Sequence, residues 1–192
     1  MTSRLHVKDL INVGIFAAVY IIVMMAVVTA LGMVPLLYAI APVFVALICA
    51  TIYMLFVMRA PKTGAVFVMS VLMAFVFMGA SYYASIWVLI VGVVTEVILL
   101  NGGYQSLKRV KLSYLIYSLT TVGPYFGVVL MKDVYFAKTE AYYGAEYADA
   151  LARFLPPWIL LPLMGGTIVA AFFGALLGER ILKKHFRKAG IV

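Results

Sequence analysis

The sequence predicts an all-α fold: a polytopic membrane protein, a bundle of six transmembrane helices with both termini cytoplasmic. Three observations carry that prediction. Hydrophobic residues make up 66% of the 192 and charged residues 11%, whereas a soluble domain is about half apolar and a quarter charged. Mean hydropathy is +1.12. Apolar stretches near the roughly 20 residues needed to cross hydrocarbon recur between short polar breaks. The same balance excludes disorder, which needs low hydrophobicity and high charge. A net charge of +8 invites a nucleic-acid reading, but the basic residues sit in short runs between apolar stretches and not on one soluble face.

The first span covers about 10–31. It follows Arg4, Lys8 and Asp9 and stays apolar well past Met25, with no small-residue cleavage site before a polar mature sequence. It therefore reads as a spanning helix and not as a removable signal peptide. Gly32 and Pro35 separate it from the second span, about 35–58. Arg59, Pro61, Lys62 and Gly64 lead into the third, about 63–80, and Gly79 and Ser81 make a tight turn into the fourth, about 83–101. Asn101, Gly102 and Gly103 open a basic loop with Lys108, Arg109 and Lys111. The fifth span, about 112–131, carries Gly123 and Pro124, which predict a kink. A long loop, about 132–155, is rich in charge and tyrosine and precedes the sixth span, about 156–182. Within that loop Phe136, Glu140, Tyr143, Tyr147, Leu151 and Phe154 recur at helical spacing and predict one amphipathic helix. Residues 1–192 are expected to form a single membrane domain.

Orientation follows from the bias of lysine and arginine toward cytoplasmic segments. With both termini inside, the inner segments hold Arg4, Lys8, Arg59, Lys62, Lys108, Arg109, Lys111, Arg180, Lys183, Lys184, Arg187 and Lys188. The outer segments hold only Lys132, Lys138 and Arg153. This asymmetry argues against a dual-topology exporter, so the basic balance mostly reports topology. No internal repeat is evident, and the halves are not expected to be matched by broken helices as in many secondary transporters.

The search for catalytic chemistry is negative. Cys49 is the single cysteine, so neither a disulfide nor a thiolate metal site can form within the chain. There is no H-E-x-x-H, no G-x-S-x-G elbow and no G-x-x-x-x-G-K loop. His6 and His185 lie at inner ends among basic residues and read as interfacial. No catalytic residue, metal or cofactor is expected, and any ATPase motor must be another subunit. Glu96 is the one acid within a span, on the inner half of the fourth helix about a turn from Asn101. At that depth a structural or subunit-contact role is expected ahead of a proton or substrate role.

Small residues at four-residue spacing let helices approach closely in lipid. Gly166, Ala170, Gly174 and Gly178, with Ala171 and Ala175 beside them, predict packing of the sixth span within the chain. Gly14 and Ala18 on the first span, with Ala26 and Ala30 further out, read the same way when taken alone.

Polar and aromatic groups gather near the outer face. Tyr83 and Trp87 are a turn apart on the fourth helix, with Ser81, Tyr82 and Ser85 around them. On the fifth, Tyr114, Ser118, Thr121, Tyr125 and Lys132 fall along one face. Its proline break frees a carbonyl, and such breaks line cavities. Trp158 begins the sixth helix after Pro156 and Pro157. Any single ring suits an interfacial belt. Together these residues predict a pocket open to the outside, with rings to stack on a planar ligand. The helix in loop 132–155 either lies on the headgroups or forms a lid, with Asp133, Glu140, Glu146 or Asp149 as acceptors and Gly32 to Tyr38 closing from the other side.

The chain resembles the substrate-binding S components of energy-coupling-factor (ECF) vitamin transporters, in length, helix count and termini. Lys8-Asp9-Leu10-Ile11-Asn12-Val13-Gly14-Ile15-Phe16-Ala17-Ala18 is similar to the first helix of one S-component subfamily. In that family a small-x-x-x-small pair on helix one, typically two alanines, docks on the shared transmembrane T component. Gly14 and Ala18 match the spacing, with glycine replacing the first alanine. The resemblance implies vitamin capture outside the bacterial plasma membrane, followed by toppling of the loaded subunit, with energy from two ATP-binding A components. It places the pocket in the outer halves of helices four to six and the loops above them, with Tyr83, Trp87, Thr121, Tyr125, Asp133 and Trp158 as binding residues. The subfamily points to pyridoxine or hydroxymethylpyrimidine, both flat rings with hydroxymethyl groups. The rival readings, in order, are an autonomous secondary carrier or channel, a structural membrane subunit, and a membrane enzyme.

Overall fold

In lipid an apolar segment must satisfy its own backbone polar groups, which favours helices. The computed structural model describes residues 5–188, with side chains as far as Lys184, and all regular structure among the described residues is helical. Arg4 and the side chains of His185, Arg187 and Lys188 lie outside the described residues.

Helix α1 spans Val7–Leu31. Three short helices follow, α2 (Pro35–Ala39), α3 (Ala41–Ile48) and α4 (Ala50–Arg59), and then α5 (Ala65–Met78) and α6 (Tyr82–Gly102). Next come α7 (Leu107–Tyr117), a 3-10 segment (Ser118–Tyr125) and α8 (Phe126–Leu130). Beyond them lie α9 (Lys132–Tyr143), α10 (Ala145–Phe154), a 3-10 turn (Pro157–Ile159) and α11 (Leu160–Lys188).

Among the described residues, four helical runs are long and apolar enough to cross a membrane: Val7–Leu31, Tyr82–Asn101, Leu107–Leu130 and Pro157–Lys184. α3 and α4 add a fifth when taken as one span, bent by 44° between them. α5 is apolar but has only 14 residues, short of the roughly 20 that a full crossing needs.

Among the described residues only the second stretch is a bent, broken span, while the fifth runs through Leu107–Leu130 as one helical span whose winding changes inside it. The second hydrophobic stretch breaks at Ile40 and again at Cys49, and the fifth changes to 3-10 winding across Ser118–Tyr125. The cause is local. Pro42 has no N–H to give the Tyr38 carbonyl, and its ring crowds that carbonyl, so α2 ends at Ala39. Pro124, preceded by Gly123, disturbs the fifth in the same way. Tyrosines from neighbouring segments serve carbonyls at the breaks. The Tyr125 hydroxyl donates to the Tyr38 carbonyl, and Tyr114 Oη donates to the Ala46 carbonyl at 2.5 Å.

The single amphipathic helix expected in the 132–155 loop is also corrected. It is two helices, parted at Gly144 (φ +88°), in the left-handed region that glycine enters without a Cβ clash. α10 buries Ala148 and Leu151 against the bundle, while α9 buries no residue.

α11 packs on α3 and α4 through the glycine stripe, as expected for packing within the chain. A Cβ at Gly174 would come within 2.6 Å of the Leu47 carbonyl oxygen, and one at Gly178 within 3.1 Å of Met54 Sδ. α5 lies mainly against α6, and its N-terminus is tied to that neighbour by Glu96. Gly64 (φ +88°) precedes α5 and has no side chain to cap it. The Glu96 carboxylate instead accepts from Gly64 N at 2.6 Å and from Val66 N and Phe67 N, each at 3.1 Å, and the Tyr104 hydroxyl also donates to it. A negative charge at a helix N-terminus is favourable. The buried acid of the sequence is thus a cap supplied by another helix.

Candidate binding cavity

Below the second break, Tyr20, Tyr53, Tyr114 and Tyr117 form a fully buried cluster at the centre of the bundle. Tyr53 stacks on Tyr117 with centroids 4.8 Å apart, and Tyr20 meets Tyr117 edge-on at 5.9 Å. Tyr53 Oη donates to Ser113 Oγ at 3.1 Å, which in turn donates to the Val110 carbonyl.

One turn further from the basic loops the bundle opens into a cavity of about 330 Å³. It lies between the second and fifth stretches. α1 contributes Met24, Met25 and Val28, and α2 and α3 contribute Tyr38, Ala41, Pro42 and Val45. Val76, Phe77, Gly79 and Ala80 come from the end of α5, and Thr121, Pro124 and Tyr125 from the 3-10 segment. Tyr38 and Tyr125 face each other with centroids 5.8 Å apart. Thr121 Oγ1 donates to the Ser118 carbonyl at 2.7 Å. Apart from the Tyr38 and Tyr125 hydroxyls and backbone atoms the rest of the lining is apolar, and no charged side chain belongs to it.

α10 packs beside α2 at this end. Tyr147 Oη, on α10, donates to the Gly32 carbonyl at 2.6 Å and so holds the α1–α2 turn. Burial, with neighbouring Tyr143 adding to it, pushes the Tyr147 hydroxyl up to about 12, so it keeps its proton and remains a donor at neutral pH. Tyr143 stacks on Tyr147 at 4.7 Å. The loop helix α10 and the Gly32 to Tyr38 segment are thus joined to each other.

Of the six residues expected to bind ligand, the structure brings Thr121 and Tyr125 together in the cavity wall. Trp87 stands behind that wall: its Nε1 donates to the Leu119 carbonyl at 2.8 Å and its ring meets Phe126 at 4.8 Å. Tyr83 pairs with Tyr82, centroids 4.2 Å apart. Asp133 is exposed at the start of α9, and Trp158 is 68% exposed. Lys132, placed by spacing on the polar face of the fifth stretch, is exposed, because α8 ends at Leu130 and the chain turns at Met131. The cavity therefore belongs to the first, second, third and fifth hydrophobic stretches, where the resemblance pointed to helices four to six. Tyr38 belongs to the Gly32 to Tyr38 segment expected to close the pocket, whereas Met24, Met25 and Phe77 carry no such expectation. The signal for them was Pro35 and Pro42, which interrupt the second stretch.

On α1, Ala18 is exposed and a Cβ at Gly14 would meet nothing within 4 Å. Ile11, Ile15 and Ile22 beside them are 57%, 56% and 66% exposed. Among the described residues this face of α1 is open, in contrast to the α11 stripe. Among the described residues, no three His, Cys, Asp or Glu side chains come together as a metal site.

A protein-family model described as hypothetical bacterial integral membrane protein (Trep_Strep) matches residues 7–188, from the first residue of α1 to the last of α11. The chain belongs to that family. It is a multi-pass protein of the bacterial cell membrane, as its several apolar helices require. No curated protein and no solved structure matches it. The Trep_Strep match embraces the cavity walls, the second and fifth stretches and α10 within one family unit.

Proposed function

We propose that this chain is the substrate-binding S component of an ECF-type ABC transporter, capturing a small vitamin or precursor on the outer side of the membrane. The observation that supports this reading best is the cavity between the second and fifth stretches, at the end away from the basic loops, where Tyr147 ties α10 to the α1–α2 turn. Its volume suits a single-ring ligand of the hydroxymethylpyrimidine or pyridoxine type, stacked near Tyr38 and Tyr125. With the termini inside, the cavity faces outward. Gly14 and Ala18, on the open face of α1, form the contact to the transmembrane T component, and two ATP-binding A components supply the energy.

Binding is tested by titrating the purified chain with water-soluble vitamins and precursors while following tryptophan fluorescence. Trp87 is the useful reporter, because it bonds to Leu119, two residues from Thr121 in the wall. Saturable quenching by one compound is expected, and a flat response from folded protein would remove the reading. Docking is tested separately. G14L and A18L should each lower co-purification with the T component at least tenfold and leave ligand affinity within twofold; unchanged assembly in both would overturn the docking role.

A second reading, an autonomous carrier, draws support from the break in the second stretch beside the 3-10 segment of the fifth, since discontinuous helices commonly frame a transporter's site. It requires uptake by this chain alone in liposomes, which the S-component reading forbids.

A further inference from the structure

The side chains of the cavity restrict the charge of what it can hold, an inference that rests on the binding role proposed above. The lining carries no ammonium, guanidinium or carboxylate. Two of its hydroxyls have already committed their hydrogens to backbone carbonyls: Thr121 Oγ1 to Ser118, and Tyr125 to Tyr38. A hydroxyl that donates in this way turns only lone pairs toward a ligand. Pro42 and Pro124, both in the wall, bring no N–H. The faces of Tyr38, Tyr125 and Phe77 are electron-rich, as ring faces are. An anion entering here would lose its hydration and meet, apart from the neutral Tyr38 hydroxyl, lone pairs and ring faces, with no cation to pair with. Burying an ion without a partner is among the most unfavourable transfers in proteins. A neutral ring with an O–H or N–H to donate meets acceptors and apolar surface instead.

We propose that this cavity selects uncharged, hydrogen-bond-donating ring compounds and excludes their carboxylate and phosphate-ester forms. The substrate would then be the free alcohol or amine, and phosphorylation of a compound would remove it from the set this protein accepts.

The test is a set of matched pairs titrated against the full chain in detergent at pH 7.5, read by tryptophan fluorescence and native mass spectrometry. Pyridoxine is paired with its 5′-phosphate and with 4-pyridoxic acid, hydroxymethylpyrimidine with its phosphate ester, and benzyl alcohol with benzoate. At least one neutral member should bind, and its anionic partner should bind about 100-fold or more weakly. An anionic member binding within threefold of its neutral partner, or binding alone, overturns the charge selection and leaves the binding role standing. Failure of every compound in every pair overturns both. Met25, 46% exposed at the cavity rim, supplies a second arm. M25K adds a cation there, and the neutral-to-anionic preference should fall at least tenfold. An unchanged preference would show that selectivity is set elsewhere.

Discussion

Glu96 reaches from α6 to the N-terminus of α5, where no local residue can cap the helix, and E96A would leave four donors to find other partners. Three are backbone amides, of Gly64, Val66 and Phe67, at 2.6, 3.1 and 3.1 Å from the carboxylate. The fourth is the Tyr104 hydroxyl. A buried donor left unsatisfied costs about 1–3 kcal/mol. The Val66 bond is buried, so its amide takes the full penalty, whereas the Gly64 and Phe67 bonds are partly open and water can replace part of each. Loss of a negative charge at a helix N-terminus adds about 0.3–1 kcal/mol. The sum is about 3–5 kcal/mol, and at roughly 2–4 °C per kcal/mol for a chain of this length the melting temperature should fall by about 6–20 °C. E96Q keeps one acceptor oxygen but turns an amide NH2 toward donors, so about half that loss is expected. The assay is differential scanning fluorimetry in detergent. A fall of less than about 3 °C for E96A would refute the capping account. Loss of transport by E96Q at unchanged melting temperature would instead make Glu96 a proton or substrate group.

Two further perturbations separate packing from function. G174A forces a methyl to within 2.6 Å of the Leu47 carbonyl and 2.9 Å of the Ala46 carbonyl, backbone atoms that cannot rotate away, so it should destabilise the protein by about 1–3 kcal/mol. G14A, where a methyl meets nothing within 4 Å, should leave the melting temperature unchanged or raise it, since alanine favours a helix interior over glycine by about 0.5–1 kcal/mol; equal losses in the two would contradict the assignment of the stripes. Y147F removes the bond to the Gly32 carbonyl, about 1 kcal/mol, and should speed ligand release about fivefold in stopped-flow fluorescence. No change in that rate would show that α10 does not retain ligand.

Much of the fold was readable because the bilayer constrains it so strongly. Runs such as 10–31 and 83–101 are long, apolar and free of proline, and they form α1 and α6 nearly as read. Where proline or glycine enters, periodicity alone misjudged the outcome. The spacing of Phe136 to Phe154 fits one helix, yet Gly144 ends α9, and only α10 finds a bundle surface to cover. Tyr114, Ser118, Thr121 and Tyr125 are all buried, as a polar face turned from lipid should be, but 3-10 winding changes which neighbours they meet. Trp87 and Tyr83 look like ligand-stacking rings by position. The first fills space behind the wall and the second pairs with Tyr82.

The sequence by itself determined the class of solvent and the helical content, because both depend on local composition and on the need of an apolar segment to satisfy its own backbone. It also marked Glu96 as an acid that needs partners. Only the tertiary structure decided which partners those are: amides more than 25 residues away on α5. The same holds for the cavity, whose walls come from four stretches remote in sequence, with the Tyr125–Tyr38 and Tyr147–Gly32 bonds among the contacts that tie those segments together. Such contacts join residues 87 and 115 positions apart, and no pattern within a single helix contains them.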